Sequence, residues 1–277
     1  MLMRWSLVGI IALFGLQANC HAWPNLKIPT KNKMQIKFGQ AQSEELDPEH
    51  ISLLVWNMYK GEKESWSEDI NELGQSRDIL ILQEMFLNEK MKSTFEEFKD
   101  HQFDAGISFI YEEDMIPTGV ITASKVEPIF SNAVRSPRRE PIIKTPKMSM
   151  VTKYKLKGLK ESLLVLNIHA VNFVSTKKLS YQLYNLASIA KEHKGPIIFA
   201  GDFNTWSKKK ANLLFDLMNR LGLKVVKFDK EHDDRMRVFG RIIDFIFIKG
   251  LSYSDAKVWG QIEGSDHKAM TVNLKVN

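Results

Sequence analysis

Residues Pro196–Trp206 read P-I-I-F-A-G-D-F-N-T-W. This segment combines an apolar run with polar residues at its end, a pattern that recurs along the chain. Ile197–Ala200 is an uninterrupted apolar run, which is typical of a strand covered on both faces. Side chains alternate along an extended backbone, so we expect Asp202 and Asn204 to point the same way while Phe203 packs inside. A carboxylate and a carboxamide at the exit of a buried strand indicate a rigid polar site, although Gly, Asp and Asn are also common turn residues.

The composition is that of an ordinary globular protein. Of the 277 residues, 44% are hydrophobic and 26% are charged, so disorder is not expected. The length is compatible with one large domain or two small ones. A net charge of +6 favours anionic partners without naming one, and it fits a solvated surface equally well.

The N-terminal segment has the pattern of an export signal. Arg4 precedes the apolar run Trp5–Leu16, which is short for a membrane span of about 20 residues but matches the core of a signal peptide. Small Cys20 and Ala22 complete the pattern of a cleavage site. We predict that Met1–Ala22 is cleaved and that the protein is secreted or periplasmic. A retained N-terminal anchor is the alternative, and Cys20 also makes a lipoprotein anchor conceivable.

Cleavage would remove the only cysteine, Cys20. The mature chain would then have no disulfide, no cysteine nucleophile and no zinc thiolate site. It would also lose Arg4, the only charged residue of the segment, which leaves 38 basic against 33 acidic residues and a net charge of +5.

Apolar runs and turn residues divide the rest of the chain. Residues 23–50 are polar and basic and are predicted to be an extended leader, and residues 51–277 are predicted to be one domain. Phe130–Lys147 contains three prolines and five basic residues and is predicted to be a loop. The predicted helices are Glu68–Leu73, Glu89–Phe98, Lys177–His193 and the segment from Ser207 to Leu221. The predicted strands are Ile51–Trp56, Ile79–Leu82, Gly106–Tyr111, Thr118–Ser124, Ser149–Leu156, Leu163–Ala170, Ile197–Ala200, Leu223–Phe228, Ile242–Lys249, Ala256–Trp259 and Met270–Val276.

Many strands with few helices predict an α/β fold. Several strands are joined by turns of hairpin length, which excludes a purely parallel sheet. Two mixed β-sheets packed face to face, with helices outside, account for the pattern.

Polar residues follow the strands in a regular order. Any one of them has the ordinary explanation of a cap or a hydrogen-bonded structural residue, but six clusters in this order are difficult to explain in that way. The clusters are W-N at Trp56-Asn57, Q-E at Gln83-Glu84, N-I-H-A-V-N at Asn167–Asn172, G-D-F-N at Gly201–Asn204, I-D-F-I at Ile243–Ile246 and S-D-H at Ser265–His267.

This ordered set resembles the endonuclease/exonuclease/phosphatase superfamily of metal-dependent phosphoesterases. The superfamily includes apurinic endonucleases, pancreatic-type deoxyribonucleases, sphingomyelinases and inositol-polyphosphate phosphatases. The resemblance covers Ile51 to Val276, and T-P-K at Thr145–Lys147, H-A-V-N-F and G-D-F-N-T-W look most like a bacterial branch. It implies a four-layer α/β sandwich, in agreement with the two packed sheets predicted above.

The resemblance also implies a metal site. Glu84 would be the principal ligand of Mg²⁺, with Mn²⁺ as an alternative, because a hard ion favours carboxylate and water oxygens. Asn57 and Asp266 would complete or orient the site. Some relatives have a carboxylate where this chain has Tyr59, so we expect a single working metal.

The remaining roles follow from the same resemblance. Asp202 would align or deprotonate the attacking water, and Asn204 would hydrogen-bond to that water or to a phosphate oxygen. His267, held by Asp244, would contact the phosphoryl group. His169 would stabilise the developing charge or protonate the leaving oxygen. Asn172 would support the phosphate.

The basic segment suggests where the substrate binds. Lys147, Arg138 and Arg139 are candidate phosphate ligands, the arginines through a bidentate fork. The alternative is that this segment is charged only for solubility.

The sequence therefore predicts an exported Mg²⁺-dependent phosphoesterase, a phosphodiesterase or nuclease that acts on an anionic phosphate ester as a monomer. A phospholipid-directed, sphingomyelinase-like enzyme is the first alternative, and a non-catalytic binding module on the same fold is the second. The sequence leaves open DNA, RNA, nucleotides, phospholipids and inositol phosphates, and both diesters and monoesters.

Overall fold

The computed structural model describes residues 25–277, so the predicted export signal, Met1–Ala22, lies outside the described residues. The strands are β1 (Leu26–Lys27), β2 (Gln35–Gly39), β3 (Glu45–Leu46), β4 (Ile51–Asn57), β5 (Ile79–Phe86), β6 (Gln102–Tyr111), β7 (Ile116–Ser124), β8 (Phe130–Arg139), β9 (Pro146–Leu156), β10 (Leu163–His169), β11 (Ile197–Asp202), β12 (Lys224–Val225), β13 (Arg237–Val238), β14 (Arg241–Ile242), β15 (Asp244–Lys249), β16 (Leu251–Val258) and β17 (Met270–Val276). The helices are α1 (Trp66–Gly74), α2 (Glu89–Glu96), α3 (Thr176–Glu192) and α4 (Lys208–Arg220).

Two mixed sheets form the centre of the fold. The first has the strand order β1-β6-β7-β5-β4-β17-β16, with β2 also paired to β6. The second has the order β12-β15-β11-β10-β9-β3, with β8 also paired to β9. The pairs β4–β5 and β10–β11 are parallel, whereas β4–β17 and β11–β15 are antiparallel. The predicted mixture of parallel and antiparallel pairs is confirmed.

The strands at the centre are buried on both faces, which explains their unbroken apolar runs. In β4, Leu53 and Val55 point towards the other sheet and meet Val165 and Ile198 there. Their neighbour Leu54 points outwards and packs with α1 and α2. The outer face of the second sheet packs in the same way against α3 and α4. The molecule is therefore the predicted four-layer α/β sandwich.

Side-chain caps set the beginning of the helices. The Asn88 and Ser175 side chains accept hydrogen bonds from backbone amides three residues later, at α2 and α3, and Ser207 does the same at α4. Such caps satisfy amides that lack a partner within the helix. Within residues 25–277, no helix is both long and apolar enough to cross a membrane.

The predicted leader packs against the sheets. Both β1 and β2 pair with β6, and β3 pairs in parallel with β9. The Arg135 side chain also donates a 2.5 Å hydrogen bond to the carbonyl of Pro29. The leader thus supplies edge strands to both sheets, and its boundary at residue 51 stays a prediction.

The predicted loop Phe130–Lys147 is wrong. Most of this segment belongs to β8 and β9, which pair antiparallel and leave only a turn at residues 140–145. Proline is tolerated here because β8 pairs on one side only, and Pro137 lies where its register is interrupted. Proline therefore marks a sheet edge in this segment and not a loop.

Candidate active site

One row of candidate residues lies at the end of the second sheet. His169 ends β10 and Asp202 ends β11, and the two are register partners in a parallel pair. Asp244 begins β15 and is the antiparallel register partner of Asp202. The three side chains therefore start from neighbouring strands at one level of the sheet, and all three are buried.

The first sheet supplies a second row at the same end of the sandwich. Asn57 ends β4 opposite Gln83 of β5, and Glu84 follows Gln83. His267 lies just before β17, where its carbonyl accepts a 3.0 Å hydrogen bond from the Trp56 indole.

Short contacts connect the two rows across the sandwich. Asn57 Nδ2 donates to Asp202 Oδ2 at 3.3 Å, and Asp244 Oδ2 lies 2.7 Å from His267 Nδ1. His169 Nε2 lies 3.6 Å from Asp202 Oδ2 and 3.8 Å from Glu84 Oε1. The structure thus brings together six of the predicted site residues, namely Asn57, Glu84, His169, Asp202, Asp244 and His267, although they are far apart in sequence.

Two of the predicted site residues, Glu84 and Asn204, have left-handed backbone conformations. Glu84 has φ 56° at an irregularity in the β5–β7 register, and Asn204 has φ 49°. Few non-glycine residues adopt this conformation, and it is concentrated at functional sites. Phe203 is fully buried as expected, but Asn204 reaches Asp202 by a turn and not by continued alternation. The backbone N–H of Asn204 donates to Asp202 Oδ1 at 2.9 Å, and its side-chain Nδ2 donates to the Ala170 carbonyl at 2.9 Å.

The two histidines carry different charges. Burial works to lower the pKa of His267, but Asp244, with support from Asp202 and Asp266, raises it to about 10. Burial lowers the pKa of His169 well below its ordinary value, and the positive charges of Lys147, His267 and Lys60 act in the same direction. At neutral pH the site therefore has one cationic imidazole and one neutral imidazole.

Two carboxyl groups of the site, those of Asp202 and Asp266, have raised pKa values. Burial raises the pKa of Asp202 to about 7, and the negative charge of Asp244 adds to the effect. Burial also raises the pKa of Asp266, with a contribution from Glu84. A carboxyl group with a pKa near neutrality is suited to accept a proton.

The donor set fits a divalent cation. One ligand atom each from Asp202, Asp244 and His267 lies within 4.8 Å of the others, but His267 would have to lose its proton to bind a cation, so the two carboxylates are the donors that this group offers at neutral pH. Asp244 Oδ1 is buried without a hydrogen-bond partner, so it has a free lone pair. Carboxylate oxygens are the ligands that Mg²⁺ prefers. This trio differs from the ligands predicted from the sequence, Glu84, Asn57 and Asp266, and the choice between the two sets stays a prediction.

The candidate substrate-binding residues lie in different places. Lys147 lines a cavity beside Glu84 and His169, and its Nζ lies 3.5 Å from Glu140 Oε1. The Asn172 side-chain oxygen accepts a 2.8 Å hydrogen bond from the Trp206 indole.

The two arginines are not brought into this cavity. Arg138 is exposed, and its guanidinium lies 4.8 Å from the centre of the Tyr181 ring on α3. Arg139 is exposed at the end of β8. Arg138 therefore lies on the side of the β8–β9 hairpin that faces α3.

Lys60 is a site residue that the sequence did not reveal. It lines the cavity, and its Nζ donates to Tyr111 Oη at 3.3 Å. Although burial works to lower it, the pKa of Lys60 is raised by Tyr111 and by the Glu84 carboxylate. Tyr59, Lys60 and Gly61 all have positive φ, so a left-handed turn directs this lysine. Gly61 was the one local signal for such a turn.

A buried Asp–His pair, a carboxyl group with a near-neutral pKa and facing strand ends together form a polar site at one end of the four-layer sandwich. The sequence profile of the Endonuclease/Exonuclease/phosphatase family matches residues 54–267, and the chain belongs to this family. The chain is 33% identical over 243 residues to a protein from Vibrio campbellii (strain ATCC BAA-1116) described as UPF0294 protein. The matched region covers 87% of this chain and 83% of that protein.

Solved structures show the same fold. The human Nocturnin catalytic domain with bound sulfate matches with a TM-score of 0.63 at 18% identity, over 90% of this chain and 99% of that one. A mannosyl-6-phosphatase from Bacteroides thetaiotaomicron matches with a TM-score of 0.59 at 12% identity, over 81% of this chain and 99% of that one. At these identities the similarity shows the fold alone.

Proposed function

We propose that the protein is an exported, Mg²⁺-dependent phosphodiesterase that acts as a monomer on an anionic phosphate ester. The observation that carries this proposal is the convergence of Asp202, Asp244 and His267 from both sheets around one buried site. Family members are generally divalent-metal dependent phosphoester hydrolases, and the oxygen-rich donor set of this chain fits such an ion. Export is proposed from the N-terminal segment Met1–Ala22.

The residues divide the work by charge. Cationic His267 would hold a phosphoryl oxygen, and the 2.7 Å contact with Asp244 fixes its ring so that Nε2 is available. Asp202, with a pKa of about 7, would take a proton from the attacking water. Neutral His169 would stabilise the charge on the leaving oxygen by donating a hydrogen bond from its ring N–H, since its lowered pKa leaves it no imidazolium proton to transfer at neutral pH. Asn204, whose side-chain amide is held by its 2.9 Å hydrogen bond to the Ala170 carbonyl, would hydrogen-bond to the same water or to a phosphate oxygen.

The metal would contribute charge neutralisation. Glu84, with Asn57 and Asp266, would hold a cation that reduces the repulsion between an anionic ester and its nucleophile. Lys147 and Lys60 add positive charge at the neighbouring cavity, and both contribute to the lowered pKa of His169.

The test is a panel of phosphate esters assayed with Mg²⁺, Mn²⁺ or EDTA. Hydrolysis that needs metal is expected, and His267→Ala should lower kcat by about 10²–10⁴-fold. His232→Ala is the matched control, because His232 also contacts an aspartate, at 2.9 Å from Asp229, but on the exposed surface. Absence of turnover on nucleic acid and on small diesters would contradict the proposal, and so would equal rates for His267→Ala and the wild type.

A phospholipid-directed phosphodiesterase is the second candidate. Phe239 lies in the turn between β13 and β14, with 69% of its surface exposed. The centre of its ring lies 5.7 Å from the centre of the Trp206 ring. This hairpin directly precedes Asp244, so an exposed aromatic side chain lies on an element connected to the site. Release of phosphocholine from liposomes would favour this candidate, and DNA cleavage without such release would remove it.

A further inference from the structure

A deep cavity adjoins the catalytic residues. Its volume is about 610 Å³, and Glu84 and His169 lie on its wall. This is within the range of small-molecule pockets, roughly 300–1,000 Å³, and it is more space than a phosphate group needs. The β6–β7 pair, the turn at residues 140–145 and the leader strand β1 enclose it, so the site is a walled cleft beside the reacting centre.

The cavity has an apolar floor. Phe109, Val120 and Met148 are buried side chains that line it. Ile142 and Ile143 lie at its mouth with 52% and 36% of their surfaces exposed. Apolar side chains left uncovered beside a cleft are typical of ligand-binding surfaces.

The charged side chains that line the cavity are mainly cationic. Lys60, Lys144 and Lys147 face the cavity, and Glu84 is the one carboxylate among its described lining residues. The hydroxyl of Tyr111 holds Lys60 in place. An apolar floor beneath three lysines suits a ligand that combines a compact organic body with anionic charge.

We infer that this cavity binds the organic group of the substrate, and that this group is compact, no larger than about a nucleoside, with at least one apolar face. The inference rests on the proposed function and narrows its substrate class to small phosphate esters and chain ends. A nucleoside inside a duplex would have to leave its stack and its base pair to enter the cleft, which costs free energy. Internal cleavage of duplex DNA is therefore disfavoured.

Three chromogenic diesters with one leaving group test the inference, namely the methyl, phenyl and thymidine 5′ esters of p-nitrophenyl phosphate. We expect kcat/KM to rise at least tenfold from the methyl ester to the thymidine ester. Ile143→Trp narrows the mouth and should remove that gain, so that the kcat/KM values of the thymidine and methyl esters differ by less than threefold. Leu159→Trp is the control, because Leu159 is 43% exposed in the distant β9–β10 turn.

Equal kcat/KM values for the three esters, or faster cleavage of supercoiled plasmid than of the thymidine ester, would overturn the inference and leave the proposed function intact. If no ester is hydrolysed, the proposed function fails. Calorimetric titration with thymidine 5′-monophosphate in EDTA then tests separately whether the cavity binds a nucleoside phosphate. Binding that Ile143→Trp and Lys144→Ala weaken at least tenfold, and that the exposed Lys160→Ala leaves unchanged, supports the inference. Absent or unaffected binding overturns it.

Discussion

At the scale of single residues, the buried histidines make stability depend on pH in opposite directions. His267 has a folded-state pKa of about 10, above the value of about 6.5 expected in the unfolded chain. Its protonated form is therefore stabilised by folding. This contribution is fully present below pH 6.5 and is lost as the pH rises towards 10.

Asp244→Asn is expected to remove most of that contribution. Removing one partner of a buried ion pair typically costs about 3–5 kcal/mol, because the other charge is left unpaired. The loss in free energy of unfolding should be largest near pH 6 and smaller at pH 9, measured by urea titration. Asp229→Asn, at the exposed His232 pair, should change stability little at either pH, because solvent screens an exposed ion pair. A pH-independent loss in Asp244→Asn would contradict the coupling.

His101 has the opposite sign. Burial lowers its pKa, and its Nε2 lies 2.8 Å from the Arg77 carbonyl in the segment that leads into β5. The unfolded chain therefore binds the His101 proton more tightly than the folded chain does. The contribution of neutral His101 to the free energy of unfolding is fully present above pH 6.5 and falls as the pH drops below that value. His101→Gln should flatten the decline in melting temperature between pH 7 and pH 5. An unchanged slope in the variant would show that other groups cause the acid destabilisation.

The site residues differ in how far the sequence could reveal them. Asn57, Glu84 and Asp202 follow apolar strands, and strand ends are visible in the pattern of the chain. Lys60 was missed because its approach to Glu84 depends on three consecutive left-handed residues, and local composition signals only the glycine among them. Arg138 and Arg139 were predicted from charge alone, and charge does not say which side of a hairpin a side chain occupies.

At the scale of elements, the turn at residues 59–61 depends on its glycine. Gly61 has φ 69°, and a Cβ there would lie 2.8 Å from the Trp66 ring. Gly61→Ala should destabilise through both backbone strain, about 1–2 kcal/mol, and the clash, about 1–3 kcal/mol more. Gly158→Ala is the control, because Gly158 has φ 72° and nothing within 4 Å of the new Cβ. Equal losses in chemical denaturation would show that the Trp66 contact is unimportant.

The elements themselves were predicted well where they are buried on both faces and poorly at edges. The predicted strand Met270–Val276 coincides with β17, and the predicted third helix differs from α3 by one residue at each end. The prediction failed for β8, because proline normally ends a strand and edge position is a property of the whole sheet. Leu223–Phe228 shortened to β12 for a related reason, since only two of its residues pair with β15.

At the scale of the whole molecule, strand order is what local patterns could not supply. The C-terminal strand β17 lies between β4 and β16, so the beginning and the end of the domain meet in one sheet. This pairing places His267 beside Asn57, although 210 residues separate them in the chain. The family resemblance predicted the four layers, but the strand order that brings the site residues together is visible only in the structure.

A polar bridge between the two sheets supports that convergence. Asn167 of β10 is fully buried, and its Nδ2 donates to the Ile121 and Leu82 carbonyls at 2.8 and 3.2 Å. Its Oδ1 accepts a 2.9 Å hydrogen bond from Gln83 of β5, the residue before Glu84. A buried hydrogen bond of this kind adds little net stability, because it replaces hydrogen bonds to water in the unfolded chain. A buried polar group that loses its only partner, however, lowers the free energy of unfolding by about 1–3 kcal/mol.

Asn167→Leu is therefore expected to lower the free energy of unfolding by about 1–3 kcal/mol, because it removes the side-chain donor of the Ile121 and Leu82 carbonyls and leaves the Gln83 amide with the Ile81 carbonyl as its remaining acceptor. The double variant Gln83→Leu/Asn167→Leu should lose less than the sum of the single variants, with a coupling of about 0.5–3 kcal/mol. Asn273→Leu, which removes an exposed 3.0 Å hydrogen bond to Asp255, should change stability by no more than about 0.5 kcal/mol. Strict additivity in urea unfolding would mean that the bridge does not couple the sheets, and the alignment of Glu84 with His169 would then depend on apolar packing alone.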